Sequence, residues 1–177
     1  MSNPDEHVAE AYQPRGLYFE DFEIGKRYTT PRRTVTSSDI ALFCGVTGDF
    51  NAPHSDFEFC RTQPYGEPIA HGPLVYGIAA GLQCQSGMND GTIVGFLGVD
   101  HWRILKPVKH GDTIHMVMTP SAKRVTSKGD RGIVTFEREI RNQHKEVVQT
   151  LTSSSMYLCR DRQVGEPAKK EGQNHEA

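Results

Sequence analysis

An acid, an amide and an imidazole lie within a short segment of this sequence, Thr47-Gly-Asp-Phe-Asn-Ala-Pro-His54. A carboxylate and an imidazole on one loop, here Asp49 and His54, can take a proton from water and deliver it to another atom. The turn formers Gly48 and Pro53 predict that the segment is a loop. The composition also fits a plain turn, in which Asn51 holds only the loop backbone, so both interpretations stay open at this point.

A helix start follows this loop, at Gly72-Pro73. Proline is favoured in the first turn of a helix, so the pair predicts Gly72 as N-cap and Pro73 as the first helical residue, with Gly87 as the stop. The free N–H groups and the positive dipole end of a helix start can hold a developing oxyanion. Apolar residues recur at helical spacing within this segment, at Leu74, Val75, Ile78, Ala79 and Leu82.

Two shorter helices are predicted to position the acid/base loop. Ser37 or Ser38 is the predicted N-cap of the first, which Gly45 and Gly48 end just before Asp49. Ser55 and Glu58 have capping-box spacing, which predicts a second helix from Asp56 to just before Pro64. His54 is therefore expected immediately before a helix start.

The period of the apolar pattern changes to two after residue 91. Residues 93–105, 113–124, 131–141 and 147–158 are predicted strands, and residues 32–36 are a predicted edge strand. Short polar turns join the long strands and predict antiparallel pairing; they lie at residues 109–112, 127–130 and 142–145. One long apolar helix followed by four strands gives an α+β domain, in which the sheet packs its apolar face on the helix.

The length of 177 residues fits one domain, predicted at residues 16–160 between disordered segments at 1–15 and 161–177. With 20 basic and 22 acidic residues, the charge balance favours neither nucleic acid nor an anionic membrane as partner. The sequence shows no apolar run of membrane-spanning length and no signal peptide at its N-terminus. A soluble, cytoplasmic protein that binds a small ligand or another protein is expected.

The residue spacings favour neither a disulfide nor a metal site. The four cysteines are scattered without Cys-x-x-Cys spacing and are expected to be reduced, packed thiols. The histidines lack the helical i, i+4 spacing with a glutamate that zinc hydrolases use. A calcium loop starting at Asp49 would need a carboxylate where Cys60 stands. No metal is therefore predicted.

Four motifs together resemble the MaoC-like dehydratase family, which includes the (R)-specific enoyl-CoA hydratases. They are Thr47-Gly-Asp-Phe-Asn-Ala-Pro-His54, Tyr65-Gly-Glu-Pro-Ile-Ala-His-Gly72, Trp102-Arg-Ile-Leu-Lys-Pro-Val108 and Gly111-Asp-Thr113. The resemblance runs from about residue 17 to residue 158. The chain departs from the family at one point, because the family usually has Asn-Pro-aliphatic-His where this sequence has Asn51-Ala52-Pro53-His54.

The resemblance implies a hot-dog fold, a long helix wrapped by an antiparallel sheet, and a homodimer or higher homo-oligomer. It implies an acyl-CoA thioester as substrate, with coenzyme A as part of that substrate and no separate cofactor. Asp49 and His54 would then activate water, and the N–H of Gly72 would bind the thioester carbonyl. Asn51 and His71 are the predicted substrate-binding residues, with Asn51 orienting the loop or a water, although His71 also fits a helix-entry residue with no chemical role.

Two other functions fit the same fold. A hot-dog thioesterase would attack the carbonyl carbon of the thioester, and a non-catalytic subunit would bind acyl-CoA without turning it over. The pairing of His54 with Asp49 favours the hydratase. The shape of the pocket, rather than the motif, decides the chain length, branching and stereochemistry of the acyl group.

Overall fold

A computed structural model describes residues 13–160, so the predicted terminal disorder lies almost wholly outside the described residues. The described chain begins with a 3₁₀ turn and two short strands and continues through four helices and four long strands. In chain order these are the 3₁₀ turn Phe19–Asp21, β1 Tyr28–Thr29, β2 Arg33–Thr34, α1 Ser37–Thr47, α2 Ala52–Ser55, α3 Phe57–Arg61, α4 Gly72–Gln85, β3 Ile93–Ile104, β4 Thr113–Val125, β5 Arg131–Arg141 and β6 Val147–Leu158.

The strands form one antiparallel sheet in the order β1-β4-β5-β6-β3, with β2 also paired to β4. The apolar face of this sheet packs against the buried side of α4, which presents Val75, Ile78, Ala79 and Leu82. The four long strands match the predicted ranges to within one residue. The α+β class and the hot-dog arrangement are therefore confirmed.

Helix α1 begins one residue earlier than the serine caps predict. Its N-cap is Thr36, whose hydroxyl accepts a hydrogen bond from the backbone N–H of Asp39 at 3.2 Å. The Asp39 carboxylate accepts in return from the Thr36 N–H at 2.8 Å, which completes a capping box. Gly48 ends the helix in the left-handed conformation, with φ of 76°, and so turns the chain into the Asp49 loop.

The second predicted helix is divided in two. Ser55 is not its cap, because the Ser55 hydroxyl donates instead to the carbonyl oxygen of Phe50 at 2.8 Å. Asp56 caps α3 by accepting from the N–H of Phe59 at 2.9 Å. The four residues before it form the separate turn α2, so His54 lies inside a helical turn rather than before one.

Helix α4 also begins one residue earlier than predicted, because its N-cap is His71 rather than Gly72. Gly72 is the first helical residue and Pro73 the second, where the missing N–H of proline costs no helical hydrogen bond. The N–H of Gly72 is consequently one of the first-turn donors that have no partner within the helix.

A buried cation lies beneath α4. Arg138 on β5 is almost fully buried, and its guanidinium donates to the side-chain oxygen of Gln83 at 2.6 Å. Burial lowers the pKa of Arg138 and raises that of nearby Tyr157 to about 12, since both charged forms lose hydration there. Arg138 lies on the buried face of β5, in the same alternation as Val134, Phe136 and Ile140.

The prediction of packed thiols is confirmed for three of the four cysteines and is wrong for Cys84. Cys44, Cys60, Cys84 and Cys159 are all free, and all but Cys84 are buried. Across residues 13–160, no helix has the length and apolar character needed to cross a membrane.

Candidate active site

The fold brings together the acid, the imidazole and the helix start that the sequence places up to 23 residues apart. A carboxylate oxygen of Asp49 and one ring nitrogen each of His54 and His71 all lie within 4.8 Å of one another. His71 is joined by a peptide bond to Gly72, so the first N–H of α4 lies beside this cluster. The predicted catalytic residues therefore occupy one site.

Asp49 is held by the loop that carries it. Its Oδ1 accepts hydrogen bonds from the side-chain amide of Asn51 at 2.7 Å and from the Asn51 backbone N–H at 3.2 Å. The side chain remains 39% exposed, so the carboxylate can still be reached by water. The amide of Asn51 thus orients the acid, as expected if Asn51 holds the loop, and its predicted contact with substrate stays a prediction.

His54 is oriented by a single strong contact. Its Nδ1 lies 2.7 Å from the carbonyl oxygen of Ile69, and because a carbonyl can only accept, Nδ1 carries the proton. The lone pair of the neutral ring is then on Nε2. This is the arrangement a general base needs, with one nitrogen anchored to the backbone and the other available to a water molecule.

His71 lies behind His54 rather than in the open site. It is only 3% exposed, and its ring stacks on that of His54 with centroids 3.6 Å apart. The ring of Phe43 packs against the His71 ring, with the two centroids 4.9 Å apart. The Nε2 of His71 lies 3.1 Å from the backbone carbonyl oxygen of Asp49. These contacts favour a role in holding Asp49 and His54 in place, and the predicted substrate contact of His71 stays a prediction.

The three side chains also have the types of a two-histidine, one-carboxylate metal site. An ion bound by an imidazole lies in the plane of that ring, along the nitrogen lone pair. The two rings here are stacked with only 24° between their planes and centroids 3.6 Å apart, so an ion in the plane of one ring would lie out of the plane of the other. The geometry fits proton transfer better than metal binding.

The displaced proline is accommodated within α2. Pro53 occupies the first turn of this short helix, where its lack of an N–H breaks no hydrogen bond. Its carbonyl oxygen accepts from the N–H of Ile69 at 3.0 Å, next to the carbonyl that anchors His54. The sequence Asn51-Ala52-Pro53-His54 therefore still delivers the imidazole to Asp49.

A cavity of about 410 Å³ opens beside His54, between α1 and the turns around α2 and α3. Apolar side chains make up much of its wall, with polar groups that include Glu67 and His110. Its lining comprises Ser37, Ser38, Ile40, Ala41, Cys44, Phe50, His54, Ser55, Phe57, Glu67, Pro68 and His110. Sequence reasoning missed most of these residues, although exposed aromatic residues flanking a catalytic motif are a signal that could have found Phe50 and Phe57.

Comparisons with known proteins identify the family of this chain. A family model described as "MaoC like domain" matches residues 21–142. Protein MaoC of Klebsiella aerogenes is 36% identical over 118 residues, which are 67% of this chain and 34% of that protein. An (R)-specific enoyl-CoA hydratase of Rhodospirillum rubrum is 30% identical over 114 residues, 62% of this chain and 76% of the relative.

A solved structure has the same fold. The MaoC-like dehydratase from Rhodospirillum rubrum superimposes with a TM-score of 0.74 at 30% sequence identity, covering 83% of this chain and 100% of that one. The chain spans about a third of the length of the Klebsiella relative, so that relative is a larger molecule. The family model covers more than half of the chain and meets it at the residues that form the site, and the chain belongs to the family of MaoC-like domains.

Proposed function

We propose that the protein catalyses the reversible addition of water to an enoyl-CoA thioester, giving a 3-hydroxyacyl-CoA. The observation that carries the proposal is the cluster of Asp49 and His54 beside the first N–H of α4, with a partly apolar cavity next to His54. Relatives with enoyl-CoA hydratase names support the substrate class.

Water addition needs a group that holds and deprotonates the water. A separation of up to 4.8 Å between the Asp49 carboxylate and a His54 nitrogen leaves room for one water molecule hydrogen-bonded to both. In the proposed step the water oxygen bonds to the β carbon as the pair takes one of its protons. A proton from the same pair then reaches the α carbon.

The electron pair of the carbon–carbon double bond moves toward the thioester carbonyl during this addition, and its oxygen becomes enolate-like. The N–H of Gly72 and the positive end of the α4 dipole would stabilise that oxygen. Loss of one such donor typically costs roughly 3 to 4 kcal/mol in the transition state.

One experiment separates this proposal from its two rivals. The purified protein is incubated with enoyl-CoA and 3-hydroxyacyl-CoA thioesters of graded chain length, and the conjugated enoyl absorbance and free thiol are followed together. We expect the enoyl absorbance to change with no thiol release. Thiol release would instead identify a thioesterase, and binding of acyl-CoA with neither change would identify a non-catalytic subunit.

We also infer that the protein forms at least a homodimer. Strand β3 is the last strand of the sheet order, and it carries exposed apolar side chains that include Val94, Phe96 and Leu97. Across residues 13–160, β6 is the only strand that pairs with β3. An unpaired apolar edge is normally covered, and a second copy can pair with it symmetrically.

Light scattering at micromolar concentration checks this prediction. We expect a mass of at least twice 19.8 kDa for the wild-type chain. Phe96→Lys places a charge on the exposed edge and should shift the mass toward the monomer, whereas Val125→Lys, at an exposed position on β4, serves as the matched control. A wild-type mass of one chain would rule out the dimer.

A further inference from the structure

A buried glutamine lies beneath the start of α4. Gln149 on β6 is only 1% exposed, and its neighbours across the sheet are Ile104 on β3 and Ile140 on β5. A buried amide that is not hydrogen-bonded is costly, so the partners of this side chain indicate why a polar residue stands here.

Both ends of the Gln149 amide are used. Its Oε1 accepts from the indole N–H of Trp102 at 3.0 Å, which fixes which end is oxygen. Its Nε2 donates to the carbonyl oxygen of Gly72, also at 3.0 Å. The indole thus orients the amide, and the amide reaches the residue whose N–H is proposed to bind the thioester oxygen.

We propose that Gln149, oriented by Trp102, is a positioning residue that fixes Gly72 so that its N–H points at the thioester oxygen. This inference rests on the hydratase function proposed above. It assigns a role to a residue outside the four sequence motifs, 77 positions away from its partner in the chain.

The physical reason is the freedom of glycine. Gly72 has no side chain whose contacts could restrict its backbone angles, and glycine has the widest choice of these angles. A hydrogen bond to its carbonyl restricts rotation about its backbone bonds and therefore holds its N–H in one direction. A small misplacement of a group that acts in the transition state lowers the reaction rate substantially.

Gln149→Met tests the proposal, because methionine has nearly the same length and volume but cannot donate. We expect kcat to fall roughly fivefold, the value of about one hydrogen bond, with KM within about twofold. Ser153→Ala is the matched control, since Ser153 is equally buried on the same strand and its hydroxyl has no partner among the described residues. A purely structural role would lower the melting temperature of Gln149→Met and leave kcat unchanged.

Gln149→Glu supplies a second readout that depends on pH. Burial raises the pKa of a carboxyl group, and the neutral acid can donate to the Gly72 carbonyl while the carboxylate cannot. The kcat of Gln149→Glu relative to wild type should therefore rise as pH falls, whereas the ratio for Gln149→Met should stay flat. Equal pH dependence of the two ratios would overturn the proposal.

Trp102→Phe keeps an aromatic ring at this position but removes the indole donor, and it gives a test if both Gln149 variants fail to fold. We expect about a twofold loss of kcat from Trp102→Phe alone. Where Gln149→Met folds, adding Trp102→Phe to it should cause no further loss, because the two act through one contact. Independent, multiplying losses would contradict the relay. If wild-type protein hydrates none of the thioesters, the proposed function fails, whereas an active wild type with unchanged kcat in Gln149→Met refutes this inference alone.

Discussion

Replacing Asp49 with asparagine, or His54 with asparagine, is expected to lower kcat for hydration by roughly 10²- to 10⁴-fold, the usual contribution of a general acid or base. Asparagine keeps the size of the aspartate but cannot take a proton. At position 54 it removes the Nε2 lone pair that the bond to the Ile69 carbonyl leaves available. Steady-state kinetics on the best enoyl-CoA of the panel would measure the loss.

The fold should survive both changes, because neither side chain is buried in the core and both lie in the segment between α1 and α3. Melting temperature and binding of a saturated acyl-CoA are the checks, and both should stay close to wild type. His144→Asn, at an exposed histidine in the turn between β5 and β6, is the matched control and should keep full activity. Near-wild-type kcat in either variant would remove that residue from the mechanism.

Gly72→Val is expected to lower kcat/KM by about tenfold or more, which corresponds to a loss of about 1.4 kcal/mol or more in the transition state. A Cβ placed on Gly72 would overlap the Cδ1 methyl of Ile104 and lie 3.8 Å from the Gln149 amide nitrogen. Valine must therefore push Ile104 aside or tilt the peptide, and a tilt moves the N–H away from the thioester oxygen.

The stability cost should be small, because Ile104 is 59% exposed and its end methyl can move outward. We expect a decrease of a few degrees in melting temperature, consistent with about 1 kcal/mol of overpacking. The double variant Gly72→Ala with Ile104→Ala removes the overlap and should recover most of the activity. Full activity in Gly72→Val would mean that the oxyanion donor lies elsewhere.

Much of the fold follows from local patterns in the sequence. The period-two alternation after residue 91 predicts all four long strands, and the helical spacing after Pro73 predicts α4, because burial of one face imposes these periods on each element separately. The helix starts are less accurate. The sequence analysis assigned three N-caps to the wrong neighbour, and the observed caps are Thr36, Asp56 and His71. Several adjacent residues can cap a helix, and tertiary contacts determine which of them does.

The residue types in the sequence also indicated the chemistry that is proposed for the candidate site. Asp49 and His54 lie in one motif, and Gly72 marks the start of the longest apolar helix pattern. Residue types and spacing, together with the family resemblance, were enough to name these three as candidates. Their proximity in space is a consequence of the fold, in which the loop after α1 meets the start of α4.

Only the tertiary structure decided which groups hold these residues in place. The burial of His71 behind His54, the cavity between α1 and α3, and the bond from Gln149 to Gly72 join segments that are distant in the chain. Each depends on how the helices pack and on the register of β3 against β6, which places Gln149 opposite Ile104 under the helix start. A shift of one residue in that register would turn Gln149 to the other face of the sheet. Local sequence patterns do not set such pairings, because the register is fixed by contacts between segments that are distant in the chain.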